Sequence, residues 1–144
     1  MKSYLSRSEK DTREIAQKIL STAKEFPTDG ACVIALYGDL GSGKTTTTKL
    51  LGEMLGINGV KSPTFLIMDM HPIAFGQFHK LIHIDAYRLK GPEELLNLGF
   101  LDMLKDRQNL IVVEWPNIVE SVLPNKVLQV DLKFIDENTR EISI

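Results

Sequence analysis

The chain has almost no cysteine. Cys32 stands alone among 144 residues, so no internal disulfide can form. It lies in the apolar run Cys32-Val33-Ile34-Ala35-Leu36-Tyr37, which reads as a buried small hydrophobe rather than a nucleophile. Long apolar runs are missing too. No stretch approaches the roughly 18 residues a membrane span needs, and Met1 to Ser8 lack the apolar core of a secretory signal. A reduced cytoplasmic setting without membrane contact is the expectation. Nor is there a surplus of basic charge. The net charge of -2 differs from what a protein gripping nucleic acid by electrostatics alone usually carries. Any work on nucleic acid is therefore expected to go through a partner. Repeats, low-complexity tracts and long linkers are absent, and the length fits one domain, 1–144, large enough to bury a core.

What is present is an alternation of helical and strand patterns. Ile15, Ala16, Ile19, Leu20 and Ala23 share one helical face, predicting a helix from Thr12 to Lys24 capped by Asp11 or Thr12. Cys32 to Tyr37 is a strand, and Lys44 to Leu55 a helix. Phe65 to Met68 and Leu81 to Ile84 read as strands, joined by a loop containing Pro72 and Gly76. Pro92 to Leu104 is helical, with Gly99 weakening it or ending it early. Leu110-Ile111-Val112-Val113 has the continuous apolar character of a strand buried on both faces. From Val127 the chain alternates, with Leu128, Val130, Leu132 and Phe134 on one face, and turns at Asp136 to Asn138 into a closing hairpin, Arg140 to Ile144. The pattern is α/β, with a mostly parallel sheet and antiparallel edge strands.

Between the first strand of that pattern and its helix lies Gly38-Asp39-Leu40-Gly41-Ser42-Gly43-Lys44-Thr45, which fits the phosphate-binding loop G-x-x-x-x-G-K-[ST]. A chance match in a chain this long occurs roughly once in a few hundred sequences. Glycines let backbone amides close around phosphate oxygens, and the helix aims its positive end at the same charge. Lys44 supplies a point charge to the β- and γ-phosphates, and the Thr45 hydroxyl a Mg²⁺ ligand. A second acid belongs at the carboxyl end of a neighbouring strand. Asp85 and Glu114 both have that position. Thr45 with Glu114 could hold Mg²⁺ while Asp85 orients water or binds metal through water; the residues alone leave the division open. Arg88 reads as a salt-bridge partner before an arginine finger, and His83 as a packed core histidine. Trp115 either covers the nucleotide or packs inside. Asp85-Ala86-Tyr87-Arg88 lacks the glycine of D-x-x-G, and Asn125-Lys126-Val127-Leu128 lacks the aspartate of N-K-x-D, so ATP is favoured over GTP.

Four elements in order resemble the TsaE family of P-loop ATPases: Gly38 to Thr46, Val60-Lys61-Ser62-Pro63-Thr64-Phe65, His83-Ile84-Asp85-Ala86-Tyr87-Arg88-Leu89 and Glu114-Trp115-Pro116. The resemblance runs nearly end to end. It implies a three-layer P-loop sandwich and a Mg²⁺-dependent ATPase, weak alone, that works with TsaB and TsaD. In the system this implies, TsaD would transfer threonylcarbamoyl to adenosine 37 of tRNAs reading codons that begin with A, and the ATPase would reset the complex between turnovers. It implies that Lys44, Thr45 and Thr46 act with the loop on phosphate, Glu114 on the metal and Asp85 in catalysis. Ser62 to Phe65 would respond to the γ-phosphate, and Thr12, Asn117 and Arg140 would contact nucleotide. Contact with tRNA would be indirect, and self-association stays open. Thr47 and His71 depart from the family's usual phenylalanine and tyrosine. Two other readings compete: a small P-loop kinase, against which the lack of an arginine-rich lid after Gly91 argues, and a nucleotide-gated binding module.

Overall fold

A computed structural model describes residues 1–58 and 67–144. The Ser62 to Phe65 loop, and Phe65-Leu66 of one expected strand, lie outside the described residues. Seven strands form one sheet: β1 Ser3–Ser6, β2 Cys32–Tyr37, β3 Met68–Phe75, β4 Phe78–Asp85, β5 Asn109–Glu114, β6 Leu128–Asp136 and β7 Thr139–Ser143. The helices are α1 Glu9–Glu25, α2 Lys44–Met54, α3 Pro92–Leu96 and α4 Phe100–Lys105, with a 3₁₀ segment at Pro116–Val122. Strand order is β1-β7-β6-β2-β5-β4-β3. The central strands β6, β2, β5 and β4 run parallel, and β3, β7 and β1 each pair antiparallel with a neighbour.

Alternation along the central strands builds two cores. Cys32, Ile34, Leu36, Leu110 and Val112 face α1 and α2, whose Ile15, Ile19, Leu50 and Leu51 cover them. Val33, Ile111 and Val113 face the other way, toward Leu95, Phe100 and Val119. With both faces covered, β2 and β5 read as unbroken apolar runs. Helices on both sides of the sheet make the three-layer sandwich.

Several expectations need correction. Ser8, not Asp11 or Thr12, caps α1: its side chain accepts from the Asp11 amide at 3.1 Å. The stretch with Pro72 is a strand, because β3 lies at the sheet edge, where a residue without an N–H is tolerated. The interruption expected near Gly99 is observed: α3 stops at Leu96, and α4 starts after Gly99, whose φ of 83° is left-handed. Phe134 shares the strand parity of Leu128, Val130 and Leu132, as expected, but unlike them it is exposed. Pairing of β6 with β2 stops at Asp131, so Phe134 lies where β6 has outrun β2 and pairs only with β7. β1 and the 3₁₀ segment have no sequence-level counterpart.

Gly30 joins the loop before β2 to the end of α4. A Cβ there would lie 2.1 Å from the Leu104 carbonyl oxygen, the atom that accepts from the Ala31 amide at 2.9 Å. Gly30→Ala should therefore destabilise the fold by about 1–3 kcal/mol, read as a lower urea midpoint at unchanged slope.

Candidate functional site

The site grows from the turn between β2 and α2. Gly38 leaves the strand with φ 156°, and a Cβ on it would sit 2.5 Å from the Leu132 carbonyl oxygen and 2.4 Å from Ser42 Oγ. Gly43 caps α2 with φ 104°. Only glycine meets both demands at low cost. The end of α2 is left bare: it has no side-chain cap and no acid in its first turn, whereas α1 has Ser8, Glu9 and Asp11. Its free amides and dipole form a concentrated positive end that favours an anion.

Lys44 turns back over this loop. Its ammonium donates to the carbonyl oxygens of Gly38 and Asp39, the latter at 2.8 Å, and to Ser42 Oγ at 3.3 Å. Burial pushes the ammonium below its usual range, while Glu114, Asp39 and Asp85 pull it back. Thr45, next along, donates to Glu114 Oε1 at 3.1 Å. Glu114 stands opposite Leu36 on one side and Asp85 on the other in the parallel ladders, so both acids end their strands at the same level. The alternation that turns Leu110 and Val112 toward α2 turns Glu114 the same way. Glu114 is buried, whereas Asp85 is half-buried and accepts from the Tyr87 amide at 3.1 Å. Burial raises the Asp85 carboxyl above its ordinary value and Glu114 adds to this, against the Tyr87 amide, His83 and Arg88.

Beside Gly43 opens a pocket of about 380 Å³ lined by Thr12, Ser42, Thr46, Asn138 and Arg140, among others. Thr12 Oγ1 lies 2.5 Å from Ser6 Oγ. Arg140 reaches across from β7, Nε donating to the Gly41 carbonyl oxygen at 3.1 Å while the guanidinium covers the Phe134 ring at 4.6 Å. Two elements far apart in sequence thus meet at the glycine loop.

A family model described as "Threonylcarbamoyl adenosine biosynthesis protein TsaE" matches residues 6–142. The chain belongs to the TsaE family. It is 36% identical over 139 residues to the tRNA threonylcarbamoyladenosine biosynthesis protein TsaE of Rickettsia typhi, covering 95% of this chain and 90% of that one. The Bacillus subtilis protein of the same name is 39% identical over 134 residues, covering 92% and 78%. Among solved structures, Bacillus subtilis YdiB superposes with a TM-score of 0.68 at 30% identity, covering 98% of this chain and 82% of that one.

Among the described residues, several that the TsaE resemblance implies as site residues gather at two places. Lys44, Thr45, Asp85 and Glu114 converge around the turn, and Thr12, Thr46 and Arg140 gather at the pocket on its other side. Asn117 is exposed in the 3₁₀ segment and does not line the pocket. Trp115 belongs with the first group. Lys44 Nζ lies 4.1 Å from its ring centroid and Tyr87 packs on it at 5.0 Å, while its edge meets the second core. Its backbone is left-handed, φ 57° and ψ 50°, a conformation that no other non-glycine shares among the described residues. Sequence reasoning underrated His83, whose Nε2 lies 2.5 Å from Glu114 Oε2. The apolar neighbours of His83 pointed only to burial; the contact depends on strand register.

The donor set suits a hard cation. Thr45 Oγ1 and Glu114 could supply oxygen ligands, and among the described residues no three His, Cys, Asp or Glu side chains are grouped so as to hold a metal by themselves. A cation here would have to take most of its ligands from phosphate and water, as Mg²⁺ does. The perturbed Asp85 also leaves a mark on stability. A carboxyl whose folded pKa is raised binds its proton more tightly in the folded state, so stability falls as pH rises from the unfolded value through the folded one. Asp85→Asn in nucleotide-free protein should raise Tm at pH 7, with the gain shrinking as pH drops toward the ordinary aspartate range. Thermal melts across pH check this.

Proposed function

We propose that this chain is a Mg²⁺-dependent ATPase of tRNA threonylcarbamoyladenosine biosynthesis, working with TsaB and TsaD to drive turnover of the enzyme that modifies adenosine 37. The observation that carries the reading is the Lys44 ammonium folded over a glycine loop whose next residue, Thr45, is bonded to the strand-end acid Glu114. The loop amides and the bare end of α2 bind the phosphates. Lys44 exchanges its backbone carbonyl partners for phosphate oxygens, a stronger charge-assisted contact. Thr45 and Glu114 hold the metal. When bound, Mg²⁺ neutralises charge developing on the transferred phosphoryl group.

Asp85 acts on the attacking water. Its carboxyl, raised by burial beside Glu114, accepts a hydrogen bond from that water and aligns it. The pocket of Thr12, Thr46, Asn138 and Arg140 receives the nucleoside end, with Arg140 tying the β6–β7 hairpin to the loop. Trp115 and Tyr87 shield the phosphate side. The net charge of -2 suits a subunit that reaches tRNA through its partners.

The test is ATP binding and hydrolysis by the full chain, alone and with purified TsaB, TsaD and tRNA. Lys44→Ala should weaken ATP binding about 10- to 100-fold through loss of charge-assisted hydrogen bonds, and the partners should stimulate hydrolysis only in the wild-type chain. Hydrolysis indifferent to both the partners and Lys44→Ala would contradict the reading.

A further inference from the structure

Glu114 is gripped from two sides. Oε1 accepts from Thr45 Oγ1 at 3.1 Å, and Oε2 lies 2.5 Å from His83 Nε2. The His83 and Glu114 side chains are only 1% and 2% exposed. A carboxylate only accepts, so Nε2 carries the hydrogen. The other ring nitrogen, Nδ1, is buried with no hydrogen-bond partner among the described residues. Among the described residues His83 thus spends its one side-chain hydrogen bond on Glu114 and leaves its second polar atom unpaired, a penalty an aliphatic residue would not incur. Packing alone gives no reason for an imidazole on this strand.

Register explains how the contact arises. His83 pairs with Val112 in the β4–β5 ladder, and Glu114 is the next residue of β5 on the same face. The histidine therefore meets the glutamate diagonally, one step below the level of Asp85. It binds Oε2 and leaves Oε1 to Thr45.

The geometry points to His83 as a positioning residue for the metal-bearing carboxylate: its Nε2–H pins Oε2 of Glu114, so that Oε1 stays aimed at Thr45 and the phosphate loop. This rests on the reading of Glu114 as the metal acid. Without the pin, the glutamate side chain regains its other staggered rotamers, and each cation bound must again select one. Outer partners of this kind typically change metal affinity by about 10- to 100-fold.

The experiment is a Mn²⁺ titration followed by electron paramagnetic resonance, on the full chain with bound ADP. His83→Leu, which keeps bulk and removes the donor, should weaken Mn²⁺ binding about 10- to 100-fold and leave ADP affinity in EDTA unchanged. His83→Gln, whose amide can reach the same oxygen, should restore most of the loss. A folded His83→Leu chain with wild-type Mn²⁺ affinity would overturn the positioning role. Glu114→Gln is the control for the underlying reading: if it leaves Mn²⁺ affinity unchanged, Glu114 is not the metal acid and the role of His83 falls with it. Nitrogen-15 NMR of the wild-type histidines stays decisive even if His83→Leu fails to fold. A proton on Nε2 and a bare Nδ1 support the pin, and a proton on Nδ1 alone overturns it.

Discussion

The buried carboxylate of Glu114 is the constraint on which the rest of the site depends. It ends β5, a strand buried along its whole length, and takes hydrogen bonds from the first turn of α2 and from β4. An acid buried without such partners would cost several kcal/mol. Here the two bonds offset that cost and join three elements at one point. The β2–α2 turn must then bring Thr45 to the end of β5, and β4 must lie parallel to β5 in the register that presents His83. The sheet order, with β5 between β2 and β4, satisfies both demands.

The glycine loop works within the same frame. Gly38 has backbone and side-chain atoms pressed against the place of its missing Cβ, and Gly43 starts α2 without a capping side chain. A bare helix end is normally a defect that a serine or aspartate removes. In α1 it is removed, by Ser8. Its persistence at α2, beside a buried lysine that donates to loop oxygens, supports the phosphate-binding role proposed for this helix end. The left-handed Trp115 is a further departure from relaxed backbone, directly after Glu114 and against Lys44. Strain of this kind gathers at functional sites because the surrounding structure must hold it.

Much of this was legible in the sequence because the signals are local. α1 follows from its apolar face, β2 and β5 from unbroken runs between covered faces, and the phosphate loop from eight consecutive residues. Asp85 and Glu114 follow from their place after apolar runs. What was not legible depends on neighbours distant in sequence. Pro72 suggests a loop until β3 is known to be an edge strand, and the alternation that puts Phe134 on the face of Leu132 does not reveal its exposure, which follows from β6 outrunning β2. β1 is four residues with little apolar character, and only pairing with β7 makes it a strand. His83 looked like a packed core residue; it is buried, and it is also bonded to Glu114, a contact that depends on the β4–β5 register. The grouping of Thr12 with Arg140, suggested by family resemblance, has its physical basis in the pocket between α1 and the β6–β7 hairpin, which Asn117 does not reach.

The most direct test of the central claim is diffraction from crystals grown with Mn²⁺ and a non-hydrolysable ATP analogue, using the anomalous signal of the metal. The account predicts a manganese peak between Thr45 and Glu114, phosphates against the amides of Gly38 to Thr45, and the nucleoside in the pocket of Thr12 and Arg140. Manganese bound away from Thr45 and Glu114, or a triphosphate lying outside the glycine loop, would contradict it.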